Sequence, residues 1–256
     1  GPVTAAVIRL TCSMHDAIDN LYATFAHCRL GDDFTGCDCC VGPEHSARLA
    51  APPLRELTYE ELERYSRKAM STWGNVRHFK HFLPRLLELS IEHRYDFLDL
   101  AVVFGKLKYA QFDSWPQRER DAVNRFFDEY WEYQLDVHIV GAFEDSIDTV
   151  LCSLANALSS VQRFLDAWIA RRTDNAKRHL AALILNNDDT LLKKGRLSNA
   201  FWDTTGQPHT EVVNWLQSDA VYRFFDGPDD QVFVDDFAYA WPQLMAIRSA
   251  LTATQK

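Results

Sequence analysis

Residues 116–137 read PQRERDAVNRFFDEYWEYQLDV. The apolar positions do not alternate; they fall one helical turn apart, as in Val123 and Phe126, while Arg, Asp and Glu take the outer positions. That is the periodicity of an amphipathic helix, and Ser114, two residues before Pro116, is a fitting N-cap. Inside the stretch lies the hexamer VNRFFD at 123–128, and the pattern V-x-R-F-[FL]-D returns at 161–166 and 221–226, with a fainter relative starting at Val76. Successive starts are 47, 38 and 60 residues apart, the first two near the roughly 40–47 residue period of helical-pair repeats. Each copy puts an inward Val and Phe one turn apart and leaves Arg and Asp as surface neighbours. The expected fold is therefore all-α: stacked antiparallel helix pairs, loosely HEAT-like.

The same period extends outward from this stretch. Ser13 is placed to cap a helix to about Leu30, with Ile18, Leu21, Tyr22 and Phe25 on one stripe. Pro43 suits the first turn of a short helix to Ala51. Thr58 with Glu61 is a capping-box pair opening a helix to Trp73, which Gly74 would close. A helix from Val76 to about Ile91 carries Pro84, where a kink or break is expected. Further helices are predicted over Phe97–Ala110, Asp145–Leu158, Ser160–Arg172, Asp174–Asn186 and Thr210–Phe225, with an amphipathic tail over Pro242–Thr252. Gln231–Val234 fits helix better than strand.

Gly1-Pro2 reads as a protease-tag scar and residues 1–13 as an extension. Residues 14–256 read as a single helical domain, with the cysteine loop at 31–42 and a weak subdivision near 187–208, where Asn, Asp, Gly and Thr accumulate. Gly and Pro together make up roughly 7%, against about 12% in average usage. That scarcity excludes collagen-like and turn-dense all-β classes. Apolar residues at 47% and aromatics at 12% exclude a wholly disordered chain. No stretch approaches ~18 uncharged apolar residues, so no membrane span is expected. With no secretory leader read, the six cysteines point to a reducing cytoplasm.

The formal charge of −9 disfavours nucleic acid, whose phosphates require a basic stripe. It suits a basic protein partner instead. Asp128, Glu132 and Asp136 recur at four-residue intervals on the long helix, and Asp235 and Asp236 belong to a second acidic patch. These five are the candidate partner-binding residues. Glu144, Asp145 and Asp148 read as N-terminal helix charges.

The chemistry concentrates in Cys37-Asp38-Cys39-Cys40. It offers a C-x-x-C pair, Cys37 with Cys40, and a C-x-C pair, Cys37 with Cys39; His45 follows five residues after Cys40, and His27-Cys28 precedes the loop. Zinc takes four N or S ligands in tetrahedral reach, and Cys37, Cys40, His45 and Cys28 make the expected set. Four protein ligands imply a structural zinc stapling a polar loop. Inert reduced thiols and a redox dithiol remain open alternatives. His78 and His81 can share a metal but read better as part of a basic, partly exposed face with Arg77 and Lys80, and His93 reads as a helix-end histidine. The P-loop, dinucleotide, zinc-protease and nucleophile-elbow motifs are all missing.

The stretches 36–41 (GCDCCV), 53–58 (PLRELT), 79–88 (FKHFLPRLLE) and 105–110 (GKLKYA) resemble an uncharacterised group of bacterial all-helical proteins with an N-terminal G-C-x-C-C loop. The resemblance covers about the first 115 residues and implies a bacterial cytosolic origin, with the cysteine loop as part of the design. Acidic helical proteins of this size are also similar, as a class, to toxin-immunity proteins. The expected function is a non-enzymatic bacterial binding protein, of the immunity or adaptor kind, presenting an acidic surface to a basic partner. The alternative is a zinc- or thiol-dependent enzyme built on the Cys37–Cys40 loop.

Overall fold

A computed structural model describes residues 10–92, 100–138 and 147–253. Gly1-Pro2, His93, Glu144 and Asp145, and the expected helix starts at Phe97 and Asp145, lie outside the described residues. Among the described residues the fold is all-α, and the extended pairing consists of two isolated bridges, Gly36 with Trp73 and Ala69 with Trp73. The chain forms two compact units, Gly1–Tyr133 and Gln134–Lys256, so the division falls within the long helix rather than near 187–208.

The first unit begins with α1, Cys12–Phe25, which buries Met14, Ala17, Ile18, Leu21 and Phe25 on one face. Its cap is Thr11, not Ser13: the Thr11 hydroxyl accepts from the Met14 N–H at 3.2 Å. The helix stops at Phe25, short of Leu30, because the Cys28 N–H turns back to the Phe25 carbonyl. Helix α2, Pro43–Ala50, has its proline in the first turn. Helix α3, Tyr59–Lys68, opens with the expected capping box: Glu61 N–H donates to Thr58 Oγ1 and Thr58 N–H to Glu61 Oε2. It ends at Lys68 rather than Trp73, since Ala69 turns extended and Met70 adopts a φ of 64° to pair with Trp73. Helix α4, Val76–Glu92, continues unbroken through Pro84. Pro84 removes one backbone donor, yet ten α4 residues, Pro84 among them, are buried, and that packing holds the turn. Helices α5, Leu100–Tyr109, and α6, Gln117–Asp136, follow.

The second unit contains α7, Ile147–Ala157; α8, Gln162–Ala170; α9, Asp174–Lys194; α10, Gln207–Leu216; α11, Asp219–Phe224; α12, Gln231–Val234; and α13, Ala240–Ala253. Helix α9 runs past Asn186 into the stretch expected to be loose. Asn187 is fully buried but satisfied: its Nδ2 donates to the Leu183 carbonyl and its Oδ1 accepts from the Ser198 N–H. Gly195, at φ 64°, caps the helix. The single helix expected over Thr210–Phe225 is two, because Ser218 caps α11 through the Val221 N–H.

In the recurring hexamers Val123, Val161 and Val221, and Phe126, Phe164 and Phe224, are all buried, while the Arg and Asp positions face out. Their places in the helices differ, however. Val123 lies within α6, Val161 precedes α8 as its N-cap, and Phe224 ends α11. The motif marks an inward face, not a repeated helix pair.

Candidate metal centre

The loop between α1 and α2 carries three thiols, and its fixed points are apolar. Phe34 and Val41, 5% and 2% exposed, flank the cysteines and point into the first unit. Phe34 stacks on Trp73 with centroids 5.9 Å apart and meets Tyr65, His78 and Phe82 edge-on or tilted. The Cys37 N–H donates to the Thr72 carbonyl at 2.7 Å and the Gly74 N–H to the Thr35 carbonyl at 2.9 Å. Cys40 and Val41 both donate back to the Cys37 carbonyl, at 3.0 and 2.8 Å, which curls the thiol segment into one tight turn.

That turn places the Sγ atoms of Cys37, Cys39 and Cys40 within 4.8 Å of one another, so the group can hold a metal ion. Cys39 is exposed and the other two are half-buried. Cys37 and Cys39 stand 2.7 Å apart, sharing a hydrogen. The thiol contacts with Cys39 first, and with Cys40, hold the Cys37 thiol below its ordinary range, while the contacts with Cys37 and Cys40 push Cys39 up to about 11. The arrangement favours the thiolate at Cys37 over an ordinary cysteine, and thiolate is the form that binds metal or attacks disulfides.

Of the four ligands expected from sequence, the structure brings Cys37 and Cys40 together. Cys39 joins them, and His45 and Cys28 are placed elsewhere. His45 Nε2 accepts from Arg64 at 2.8 Å and its Nδ1 lies 3.1 Å from Glu44, so both ring nitrogens face side chains other than the thiols. The same Arg64 donates to the Cys40 carbonyl. Cys28 belongs to a separate group with His27 and Glu119. His78, expected on a partly exposed face, is fully buried against Phe34, with Asn75 N–H on its Nδ1. His81 Nδ1 pairs with the Cys28 carbonyl at 2.8 Å, so the two histidines face different partners.

The acidic candidates are partly engaged. Asp136 pairs with Arg171 and accepts from Asn175 through its carbonyl; Asp235 pairs with Arg178 at 2.7 Å. Asp128 and Asp236 are exposed and Glu132 half-buried. In the second unit a cavity of about 530 Å³ is lined by Gln162, Asp166, Glu211, Asn214 and Trp215. Its Glu211 accepts from Ser160 Oγ and Val161 N–H at 2.8 and 2.7 Å, which is a helix-start role for α8 rather than a chemical one.

No family model, no curated protein and no solved structure matches this chain. Among the described residues, no helix is long and apolar enough to cross a membrane.

Proposed function

We propose that this chain is a metal-binding protein, not an enzyme, whose Cys37, Cys39 and Cys40 take up a thiophilic ion, zinc first. The observation that carries the reading is the convergence of three sulfurs in a loop pinned from both sides. Phe34 and Val41 already anchor the loop, so zinc is not required as a staple, in contrast to the structural role that four ligands would imply. Three thiolates leave one tetrahedral position for water or a donor from elsewhere, which suits an exchangeable ion. A Zn–S bond of about 2.3 Å sets tetrahedral sulfurs about 3.8 Å apart. Cys37 and Cys39, at 2.7 Å, must therefore part by about 1 Å on loading. Exposed Cys39 is the free one to move. The reading requires a reducing compartment, such as a bacterial cytoplasm.

The 2.7 Å contact also favours a second reading, a reversible dithiol. Cys37 and Cys39 would join in a disulfide by exchange with an incoming disulfide, whose sulfurs leave as two thiols with the two electrons and two protons. A basic protein partner rests on the charge of −9 and on five acidic positions, of which Asp136 and Asp235 already hold arginines of this chain. Alkylation of the reduced full chain, followed by mass spectrometry, tests the metal reading. Added zinc should protect Cys37, Cys39 and Cys40, and changing all three to Ser should remove one bound equivalent. Alkylation unaffected by zinc defeats the reading. A Cys37–Cys39 crosslink that forms as readily with zinc as without it favours the dithiol.

A further inference from the structure

Cys28, His27 and Glu119 lie outside the thiol loop and gather three different donor types, with all ligand atoms within 4.8 Å of one another. Helix α1 ends just before His27, and Glu119 sits in the first turn of α6. His27 Nδ1 lies 3.0 Å from the Thr24 carbonyl. A carbonyl only accepts, so Nδ1 carries a proton and Nε2 points the other way. Nε2 lies 3.4 Å from Cys28 Sγ and 3.4 Å from Glu119 Oε1. A ring nitrogen opposite a carboxylate oxygen is a place for positive charge, which a proton or a metal ion supplies. A backbone carbonyl behind the ligating imidazole is also the usual outer-shell support of a metal-bound histidine.

The separations fit a metal. Zn–N and Zn–O bonds near 2.0–2.1 Å and a Zn–S bond near 2.3 Å give tetrahedral edges of about 3.4 Å for N to O and about 3.5 Å for N to S. The observed edges are 3.4 Å and 3.4 Å. Glu119 is already shaped for one further cation contact: its Oε2 takes Lys80 at 2.5 Å, leaving Oε1 toward His27. Lys80 is fixed in turn over the Trp115 ring at 4.3 Å. Cys28 and Glu119 are each 4% exposed, and a cavity of about 330 Å³ lined by Val76, Arg77 and Lys80 adjoins the three donors.

We infer that His27, Cys28 and Glu119 form a second metal site, a three-ligand zinc centre whose fourth position opens into this cavity. Three protein ligands with a vacant fourth position is the arrangement that leaves a metal-bound water or a small anion accessible, and Arg77 and Lys80 line that opening with positive charge. Loading displaces the Cys28 thiol proton to solvent and forms the Zn–S bond; no oxidant or reductant is involved.

The test separates this site from the thiol loop. The full chain carrying Cys37→Ser, Cys39→Ser and Cys40→Ser is reduced, stripped of metal and titrated with zinc against a chelator, then with cobalt(II). One equivalent should still bind, and the cobalt form should show a thiolate charge-transfer band. Adding Cys28→Ser should abolish the band, and adding His27→Gln should weaken zinc at least about tenfold. His27 is largely exposed, its side chain 66% accessible, so that variant should fold. Failure of the triple variant to bind zinc overturns the inference whatever the loop does. So does binding that persists unchanged in His27→Gln.

Discussion

Replacing Gly36 by Ala should disturb the thiol loop without touching a sulfur. A Cβ on Gly36 would stand 2.4, 2.5 and 2.9 Å from Val41 Cβ, Cγ1 and Cγ2, where carbon atoms normally settle at about 3.5–4.0 Å. Val41 is 2% exposed and cannot swing aside without leaving the core. Gly36 itself is held by its bridge to Trp73, and the next N–H by the Thr72 carbonyl. The overlap is therefore relieved by shifting the loop. Overpacking of this kind costs about 1–3 kcal/mol, and the stiffer unfolded chain recovers about 0.4–1 kcal/mol. A net loss of about 1–2 kcal/mol corresponds to a fall in Tm of about 2–8 °C for a chain of this size. Because Cys37 is displaced, zinc affinity of the loop should drop at least about tenfold. Calorimetry of the reduced, metal-free chain and a zinc competition titration measure the two effects. A Gly36→Ala protein that melts with the wild type and binds zinc as tightly refutes the claim that the bridge to Trp73 positions the thiols.

Asp148 supplies a pH test. Burial, opposed by hydrogen bonds from Trp202 and Asn187, raises its carboxyl from 3.8 to about 6. Between about pH 4 and 6 the folded chain holds a proton the unfolded chain has released, so stability falls as pH rises through that window, by up to about 3 kcal/mol. Asp148→Asn should pull ahead of the wild type in melts above pH 6 and lose that lead near pH 4; a gap that does not change with pH contradicts this. Lys177 and Asp230, 8% and 7% exposed, pair at 2.7 Å. Asp230→Ala leaves the Lys177 ammonium only the exposed Asp226 carboxylate and removes the cap of α12, and should cost about 2–4 kcal/mol by denaturant unfolding. Asp226→Ala, at a side chain 70% exposed, should cost about 1 kcal/mol or less, and equal losses would deny Asp230 its special role. Arg77→Ala removes an exposed pair with Asp33, which should change stability little, yet it should weaken zinc in both the wild-type loop and the His27 site. A change confined to stability would show that Arg77 organises neither.

What the sequence disclosed was local, and what it withheld was set by distant contacts. The Thr58–Glu61 capping box needs only neighbours three residues apart, and it forms as expected. The end of the same helix depends on Ala69 and Met70 pairing with Trp73, which no local signal announces. Asn187 looks like a loop residue by composition, and only the Ser198 N–H makes it tolerable inside α9. The thiol cluster was legible from spacing alone. His45 stood at good ligand spacing, but Arg64, from another helix, takes its Nε2. Glu119 carried no signal at all in sequence, because its meaning arises from His27, Cys28 and Lys80 meeting it in space.

The basic face of α4 connects these observations. Read along the chain, Arg77, His78, Lys80 and His81 suggest a solvated surface; in the fold they hold residues 28–34 at successive points. His81 takes the Cys28 carbonyl, and Arg77 donates to the Arg29 carbonyl at 2.5 Å and to both Asp33 carboxylate oxygens. His78 lies 3.3 Å from Asp33 Oδ1 and packs edge-on against Phe34, while Lys80 takes Glu119. One metal-competent group begins at the start of this segment, at His27 and Cys28; the other follows its end, at Cys37. Since a segment ordered at both ends by one rigid helix loses little further freedom when an ion binds, the conformational cost of loading either site has largely been met by α4 packing. The pinned segment, more than the count of cysteines, is what makes metal capture physically reasonable in so small a loop.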